Sequence, residues 1–103
     1  VDTKVSKNET VHLDYILSKK LLEDFTKISA VELAPKFRVN GIAPGLILPP
    51  EGKDESYLLN LAKNIPLTTI GNLGEILTAV QFILDSQFFT GQILYIDGGE
   101  HLV

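Results

Sequence analysis

Two short apolar segments constrain the fold of this chain more than any other feature. The first, "FRVNGIAPG", predicts a strand over Phe37–Ala43 that ends in a turn at Pro44 and Gly45. The second, "GQILYIDGG", predicts a strand over Gln92–Ile96 that is stopped by two glycines. Helical patterns precede the first strand and separate it from the second, and this alternation predicts parallel strands joined by a right-handed crossover. Since parallel sheets normally contain more strands and are covered on both faces, we expect further strands beside these two.

Three segments carry helical patterns. Apolar residues recur at steps of three and four along the first, namely Leu13, Leu17, Leu21, Phe25 and Ile28. This period predicts a helix over Val11–Ala34 after a polar loop over residues 1–11. A short helix is predicted over Asp54–Lys63, and a third over about Leu73–Leu84 with Asn72 or Thr69 as its cap. The residues expected on the buried side of the third helix are Ile76, Leu77, Val80, Phe82, Ile83 and Leu84.

The chain has 103 residues and contains no methionine. Because translation starts with methionine, we interpret Val1 as a cleavage point or as the first residue of a truncated piece. Together with the two strands, this predicts an α/β fold in which residues 1–103 form the carboxyl-terminal half of one domain. That domain would be a doubly wound parallel sheet, with its amino-terminal half absent from this chain.

Composition excludes several classes of function. The net charge is −4 and the nine basic residues are scattered, so we expect no nucleic-acid surface. No apolar run approaches the roughly 20 residues that span a bilayer, so we expect no membrane insertion. The absence of cysteine and of a secretory signal pattern favours the cytoplasm. His12 and His101 lie far apart without a paired carboxylate motif, so both are expected to be structural or exposed and no metal site is predicted.

Tyr15 and Lys19 are four residues apart on the first predicted helix and would share one of its faces. A tyrosine with a pKa near 10 exchanges protons poorly at neutral pH, but a nearby ammonium favours the phenolate. Lowering the pKa by about 3 units requires roughly 4 kcal/mol, which is plausible where water is excluded. The pair alone fits either a proton donor with its cation or a solvated helix face.

The segments "YILSK", "RVNGIAPG" and "TGQILYIDGG" resemble, in order and spacing, the second half of the short-chain dehydrogenase/reductase family. The resemblance covers nearly the whole chain and implies a Rossmann-type, NAD(P)-binding domain. In that family the tyrosine of Tyr-x-x-x-Lys donates or accepts the substrate proton, while the lysine lowers the tyrosine pKa and binds the nicotinamide ribose. These roles would fall to Tyr15 and Lys19. The backbone after Pro-Gly meets the nicotinamide carboxamide in the family, which implies cofactor-binding roles for Pro44, Gly45, Leu46 and Ile47.

A family member usually has a serine twelve or thirteen residues before the tyrosine, where this chain has Thr3 and Asp2. An aspartate thirteen residues before resembles the pteridine reductase branch, including dihydromonapterin reductases, whose catalytic group is Asp, Tyr and Lys. The resemblance therefore implies that Asp2 orients a pterin and assists proton transfer. The chain departs from the common family pattern at Pro49, where a threonine is usual, and the pteridine reductases also vary at this position. Residues 50–58 would form the substrate loop, while residues 97–99 are expected to end the last strand.

The leading hypothesis is a cytoplasmic, NADPH-dependent reductase of a dihydropterin or dihydrofolate that forms a dimer or tetramer. We expect the isolated 103-residue piece to be inactive, because it lacks the glycine-rich turn that binds the cofactor phosphates. One alternative is another short-chain reductase that acts on a 3-oxoacyl thioester or a ketone. The other is a non-catalytic oligomerisation fragment in which the long helix pairs with its symmetry mate.

Overall fold

The element order confirms the predicted alternation of helices and strands. The computed structural model describes residues 3–103, with the side chains of residues 13, 14 and 16–103. Its elements are α1 (Thr3–Glu32), β1 (Gly41–Pro44), α2 (Glu55–Ala62), α3 (Leu73–Asp85), β2 (Ile93–Ile96) and a 3₁₀ turn (Glu100–Leu102). Along the described chain, no helix is both long enough and apolar enough to cross a membrane.

β1 and β2 pair in parallel, as the sequence predicts, with Gly41 opposite Ile93 and Pro44 opposite Ile96. At the start of the pair the Gly41 N–H donates to the carbonyl of Gln92 at 2.8 Å, and beyond its end the Gly45 N–H donates to Ile96 at 3.0 Å. The carboxyl ends of both strands therefore lie at the same edge of the sheet. This is the α/β arrangement that the alternation requires.

β1 is shorter than predicted, since it begins at Gly41 rather than at Phe37. Ahead of the strand one backbone bond remains, from the Gly91 N–H to the Val39 carbonyl at 2.7 Å, and side chains supply the others. The Val39 N–H donates to the Thr90 hydroxyl at 3.0 Å. The Asn40 amide donates to the carbonyl of Phe89 at 3.0 Å and accepts the Gln92 N–H at 3.1 Å. These side-chain bonds satisfy the backbone where it diverges from regular strand geometry.

α1 begins at Thr3, eight residues earlier than the predicted start at Val11, so the loop predicted over residues 1–11 is wrong from Thr3 onward. Residues 3–10 contain neither proline nor glycine, and hence no residue that would stop a helix. A polar composition therefore does not distinguish a loop from a helix in this segment, because most of these residue types are compatible with a helix.

α1 packs on the sheet through small residues rather than through its apolar stripe. Among its described side chains, Thr26 and Ala30 are the buried ones. A Cβ atom built on Gly41 would lie 3.7 Å from the Thr26 hydroxyl, and one on Gly91 would lie 3.4 Å from Ala30 Cβ. The stripe itself is exposed at Leu13, Leu17, Leu21, Phe25 and Ile28. The helical period is confirmed, and the stripe lies on a face that the described chain does not cover.

The predicted buried side of α3 is wrong in part. α3 lies against both strands, yet its buried residue is Ala79. Four of the residues predicted on its buried side are exposed, namely Leu77, Val80, Phe82 and Leu84. Apolar residues occupy nearly every side of this helix, so their period does not mark the packed face.

The helix ends are capped by side chains. Asn72 Oδ1 accepts the Glu75 N–H at 3.2 Å, which confirms Asn72 rather than Thr69 as the cap of α3. Asp54 Oδ1 accepts the Ser56 N–H at 3.1 Å and caps α2, in agreement with its predicted start. At the other end of α3, the Arg38 guanidinium donates to three carbonyls, those of Ile83 (2.8 Å), Leu84 (3.4 Å) and Phe89 (3.4 Å). A cation there complements the negative end of the helix dipole.

Candidate active site

The carboxyl ends of β1 and β2 approach each other closely. A Cβ atom built on Gly45 would lie 2.7 Å from both Cα and Cβ of Asp97. Glycine is therefore required at this position, not for an unusual dihedral angle but because the neighbouring backbone fills the space. The close approach holds the Pro44–Ile47 loop against the end of β2.

A pocket of about 300 Å³ opens at this edge of the sheet. Its walls come from the loop after β1, the end of β2, and the segment that leads into α3; they include Leu46, Ile47, Ile70, Asn72, Glu75, Ile96, Asp97 and Gly98. Ligands of open α/β sheets bind outside the carboxyl ends of the strands, in mostly apolar pockets with a few polar groups. The position and lining of this pocket fit that pattern.

The loop after β1 presents unpaired backbone groups beside this pocket. The Leu46 carbonyl accepts the Gly71 N–H at 2.9 Å. Within the part of the chain that the structure describes, the Leu46 N–H and both the N–H and C=O of Ile47 make no hydrogen bond. Backbone groups in native proteins normally have partners, so these groups can receive a ligand that offers both a donor and an acceptor.

The structure describes some of the remaining predicted site residues and not others. Tyr15 and Lys19 both belong to α1, one helical turn apart. Asp2 and the side chain of Tyr15 lie outside the described residues, as does the side chain of His12. The loop over Pro44–Ile47 is brought together with Asp97 and Gly98, which the sequence did not place in the site.

A polar contact between α1 and β2 was missed by sequence reasoning. The Tyr95 hydroxyl donates to Glu23 Oε2 at 3.1 Å, while the other oxygen of Glu23 receives the Lys27 ammonium at 3.2 Å. The Lys27 hydrogen bond, followed by the one from Tyr95, lowers the pKa of Glu23. The hydrogen bond to Glu23 in turn raises the pKa of Tyr95. Glu23 lies one turn beyond Lys19 on α1, so this contact adjoins the predicted catalytic pair.

Asp97 organises the turn after β2, as expected for a residue that ends the strand. Its carboxylate accepts the N–H groups of Gly99 and His101, both at 3.0 Å, and contacts His101 Nδ1 at 2.8 Å. Burial acts to raise the pKa of Asp97, but the His101 side chain and the backbone donors together hold it below its usual value. His101 also stacks on the Tyr95 ring, with 4.0 Å between centroids, which fits the structural role expected of it.

The predicted substrate loop lies beside a second, wider depression on the surface. Its lining is mainly polar and consists of Gly52, Lys53, Asp54, Ser56, Tyr57 and Asn60. The Lys53 ammonium lies 5.4 Å from the centroid of the Tyr57 ring. Among the described residues, no group of three or more acidic, histidine or cysteine side chains could hold a metal ion.

Comparison with known proteins gives consistent matches. A family model described as enoyl-(acyl carrier protein) reductase matches residues 3–101. A dihydromonapterin reductase from Escherichia coli is 37% identical over 101 residues, which is 98% of this chain and 42% of that protein. The chain thus spans less than half the length of the curated relatives it matches.

Solved structures agree with these matches. The FolM alternative dihydrofolate reductase 1 from Brucella canis, complexed with NADP, aligns with a TM-score of 0.80 and 37% identity over 86% of this chain and 36% of that one. A 4-hydroxyisoleucine dehydrogenase complexed with NADH aligns with a TM-score of 0.74 and 31% identity, over 86% of this chain and 40% of that one. The predicted fold, the carboxyl-terminal part of a doubly wound Rossmann-type domain, is confirmed. The chain belongs to the short-chain dehydrogenase/reductase family.

Proposed function

We propose that the full-length protein containing this chain is a cytoplasmic, NADPH-dependent reductase of a pterin such as dihydromonapterin, dihydrobiopterin or dihydrofolate. The observation that carries this proposal is the 37% identity to a dihydromonapterin reductase along 98% of the chain. The alternative dihydrofolate reductase in complex with NADP supports the same substrate class and cofactor.

The catalytic roles in this proposal fall to Asp2, Tyr15 and Lys19. When bound, the nicotinamide supplies the hydride. Tyr15 supplies the proton to the pterin, because its hydroxyl is the acid of the family pattern. Lys19 favours proton release from Tyr15 through its positive charge and holds the ribose hydroxyls. Asp2 orients the amino or imino group of the pterin and assists the proton transfer.

The loop after β1 fits the nicotinamide carboxamide. A carboxamide carries an NH₂ donor and a C=O acceptor, and Ile47 offers an unpaired C=O and N–H in the described structure. The close approach of Gly45 to Asp97 holds this loop at the edge of the sheet where the family places its cofactor. Pro44, Gly45, Leu46 and Ile47 would therefore orient the ring from which hydride departs.

A second candidate function is the reduction of a different carbonyl or enoyl substrate. The matching family model is described as an enoyl-(acyl carrier protein) reductase, and one structural neighbour is a 4-hydroxyisoleucine dehydrogenase. Purified full-length protein should oxidise NADPH with dihydromonapterin or dihydrofolate. Turnover of a 3-oxoacyl thioester or a ketone, without turnover of any pterin, would overturn the pterin assignment in favour of this second function.

The exposed stripe of α1 supports a proposal about assembly. Phe25 is 66% exposed and Leu21 is 69% exposed, as are other apolar residues of the same stripe. Apolar surface of this kind is stabilised when a second copy covers it. We propose that α1 pairs with its symmetry mate in a dimer that assembles further into a homotetramer. A monomeric mass for the full-length protein in solution would contradict this. A stable assembly that binds no nicotinamide nucleotide would instead favour the alternative of a non-catalytic oligomerisation fragment.

A further inference from the structure

We propose that Tyr95 is a positioning residue for catalysis, because its hydrogen bond to Glu23 fixes α1, and with it Tyr15 and Lys19, relative to the sheet. The inference rests on the proposed function for the roles of Tyr15 and Lys19. The contact itself is independent of that function, because it is a 3.1 Å hydrogen bond between β2 and α1.

The Tyr95–Glu23 bond is a direct polar link from α1 to the sheet. Two other polar side chains nearby bond within α1 itself, namely Thr26 to the Leu22 carbonyl and Lys27 to Glu23. Among the described side chains of α1, the buried ones are the small residues Thr26 and Ala30, which face Gly41 of β1 and Gly91 just ahead of β2. Small side chains allow close approach but interlock weakly, so they fix the distance of α1 from the sheet better than its rotation or height.

Glu23 lies closer to the catalytic pair along α1 than the buried residues of this helix do, so its bond constrains α1 near the pair. At 1.5 Å per residue, Glu23 lies about 6 Å beyond Lys19 and about 12 Å beyond Tyr15 along the helix axis. Thr26 and Ala30 lie further still from the pair. The charge of Lys19 is also felt at the Tyr95 hydroxyl, where it opposes the increase in the Tyr95 pKa that the hydrogen bond to Glu23 causes.

Tyr95, which itself lines the pocket, is held in place by His101. Its ring stacks on His101, with 4.0 Å between centroids and 17° between planes. His101 is anchored to Asp97, which lines the pocket at the carboxyl edge of the sheet. The series Asp97, His101, Tyr95, Glu23 therefore connects the pocket wall to the helix that carries the proton donor. Misplacement of a reacting group by about 1 Å can cost 100-fold in rate, so such a connection affects turnover.

The test is Tyr95→Phe in the full-length protein, since this variant keeps the ring that stacks on His101 and removes the hydroxyl. We expect kcat for pterin reduction to fall roughly tenfold, within the range that misalignment produces. Tyr95 also lines the pocket, but the hydroxyl that this variant removes bonds Glu23, so the KM for the pterin should stay within about twofold. The matched control is Lys27→Met, which removes the other partner of the same carboxylate and should leave kcat unchanged.

Two further variants separate positioning from a general loss of stability. Glu23→Gln keeps an acceptor for the Tyr95 hydroxyl and should retain most of the activity, whereas Glu23→Ala should resemble Tyr95→Phe. In a Lys19→Met background, Tyr95→Phe should cause little additional loss, because both changes act on the same pair. Equal losses from Tyr95→Phe in the two backgrounds, or an unchanged kcat in the single variant, would overturn the proposal. If Tyr95→Phe fails to fold, the activities of Glu23→Gln and Glu23→Ala are compared instead. Equal activity of these two variants would overturn the proposal.

Failure of the proposed function is distinguishable from failure of this inference. If the wild-type protein reduces no pterin, the pterin assignment fails and the dissociation constant for NADPH becomes the measurement. An increase of several-fold in that constant for Tyr95→Phe, with none for Lys27→Met, would still support positioning of Lys19. An unchanged constant in Tyr95→Phe would overturn it.

Discussion

Replacing Gly45 by alanine tests the close approach that builds the candidate site. The new Cβ would lie 2.7 Å from Cα and Cβ of Asp97, whereas carbon atoms in contact are normally about 3.5–4.0 Å apart. Relieving the overlap requires a local movement of about 1 Å. The obstructing Cα belongs to the backbone, and the Asp97 carboxylate is held by the N–H groups of Gly99 and His101. Overpacking costs about 1–3 kcal/mol, and we expect Gly45→Ala in the upper part of that range.

Gly41→Ala is the matched control, because it places the same methyl group at the other end of β1. Its Cβ would lie 2.9 Å from Ile93 Cδ1, the mobile tip of a side chain that can rotate away. We therefore expect Gly41→Ala to cost about 1 kcal/mol or less, below the typical cost of rigid overpacking.

Thermal unfolding of the full-length variants measures this difference. At about 2–4 °C per kcal/mol for a protein of roughly 150–250 residues, Gly45→Ala should lower Tm by about 4–12 °C. It should also weaken NADPH binding, since it displaces the loop with the unpaired groups of Ile47. Equal Tm values for Gly45→Ala and Gly41→Ala, or a Gly45→Ala protein as stable as wild type, would refute the reasoning.

Three other substitutions test the contacts that hold the elements together. Arg38→Ala leaves the last carbonyls of α3 without their cation and should cost about 2 kcal/mol in urea unfolding, with an unchanged m value. Asp54→Ala removes the cap of α2 and should cost about 1 kcal/mol; Asp54→Asn, which keeps a capping oxygen, should cost less. The lowered pKa of Asp97 means that its carboxylate stabilises the fold above the unfolded value of 3.8, and this contribution is lost as pH falls through the folded pKa. In Asp97→Asn the free energy of unfolding should therefore fall less steeply as the pH is lowered than in wild type. The same dependence on acidic pH in both proteins would contradict this.

Local signals in the sequence predict the helices and the site loop well. α2 and α3 lie within about two residues of their predicted bounds, and their starts are predictable because Asp54 and Asn72 have the side chains that cap helices. The turn is predicted one residue early, because Pro44 is still the last residue of β1, but the loop from Gly45 onward is expected because turn residues follow the apolar run. Tyr15 and Lys19 fall on one helix because a spacing of four matches its period.

The contacts that the sequence could not predict join distant residues. Tyr95 and Glu23 are 72 positions apart, and neither residue carries a local signal that names the other. Arg38 reaches the end of α3 from 45 positions away, although it lies in a segment that reads as strand. The packed faces of α1 and α3 are also set by tertiary contacts, because glycine and alanine permit a close approach that larger apolar residues do not.

Tyr15 of this chain is the proposed proton donor of a pterin reductase. The most direct test of this role compares wild-type full-length protein with Tyr15→Phe, measuring NADPH oxidation with dihydromonapterin and the dissociation constant for NADPH. We predict that turnover falls by about 10²–10⁴-fold, the range of general acid catalysis, while the dissociation constant changes little. A Tyr15→Phe protein that turns over at the wild-type rate would contradict the claim.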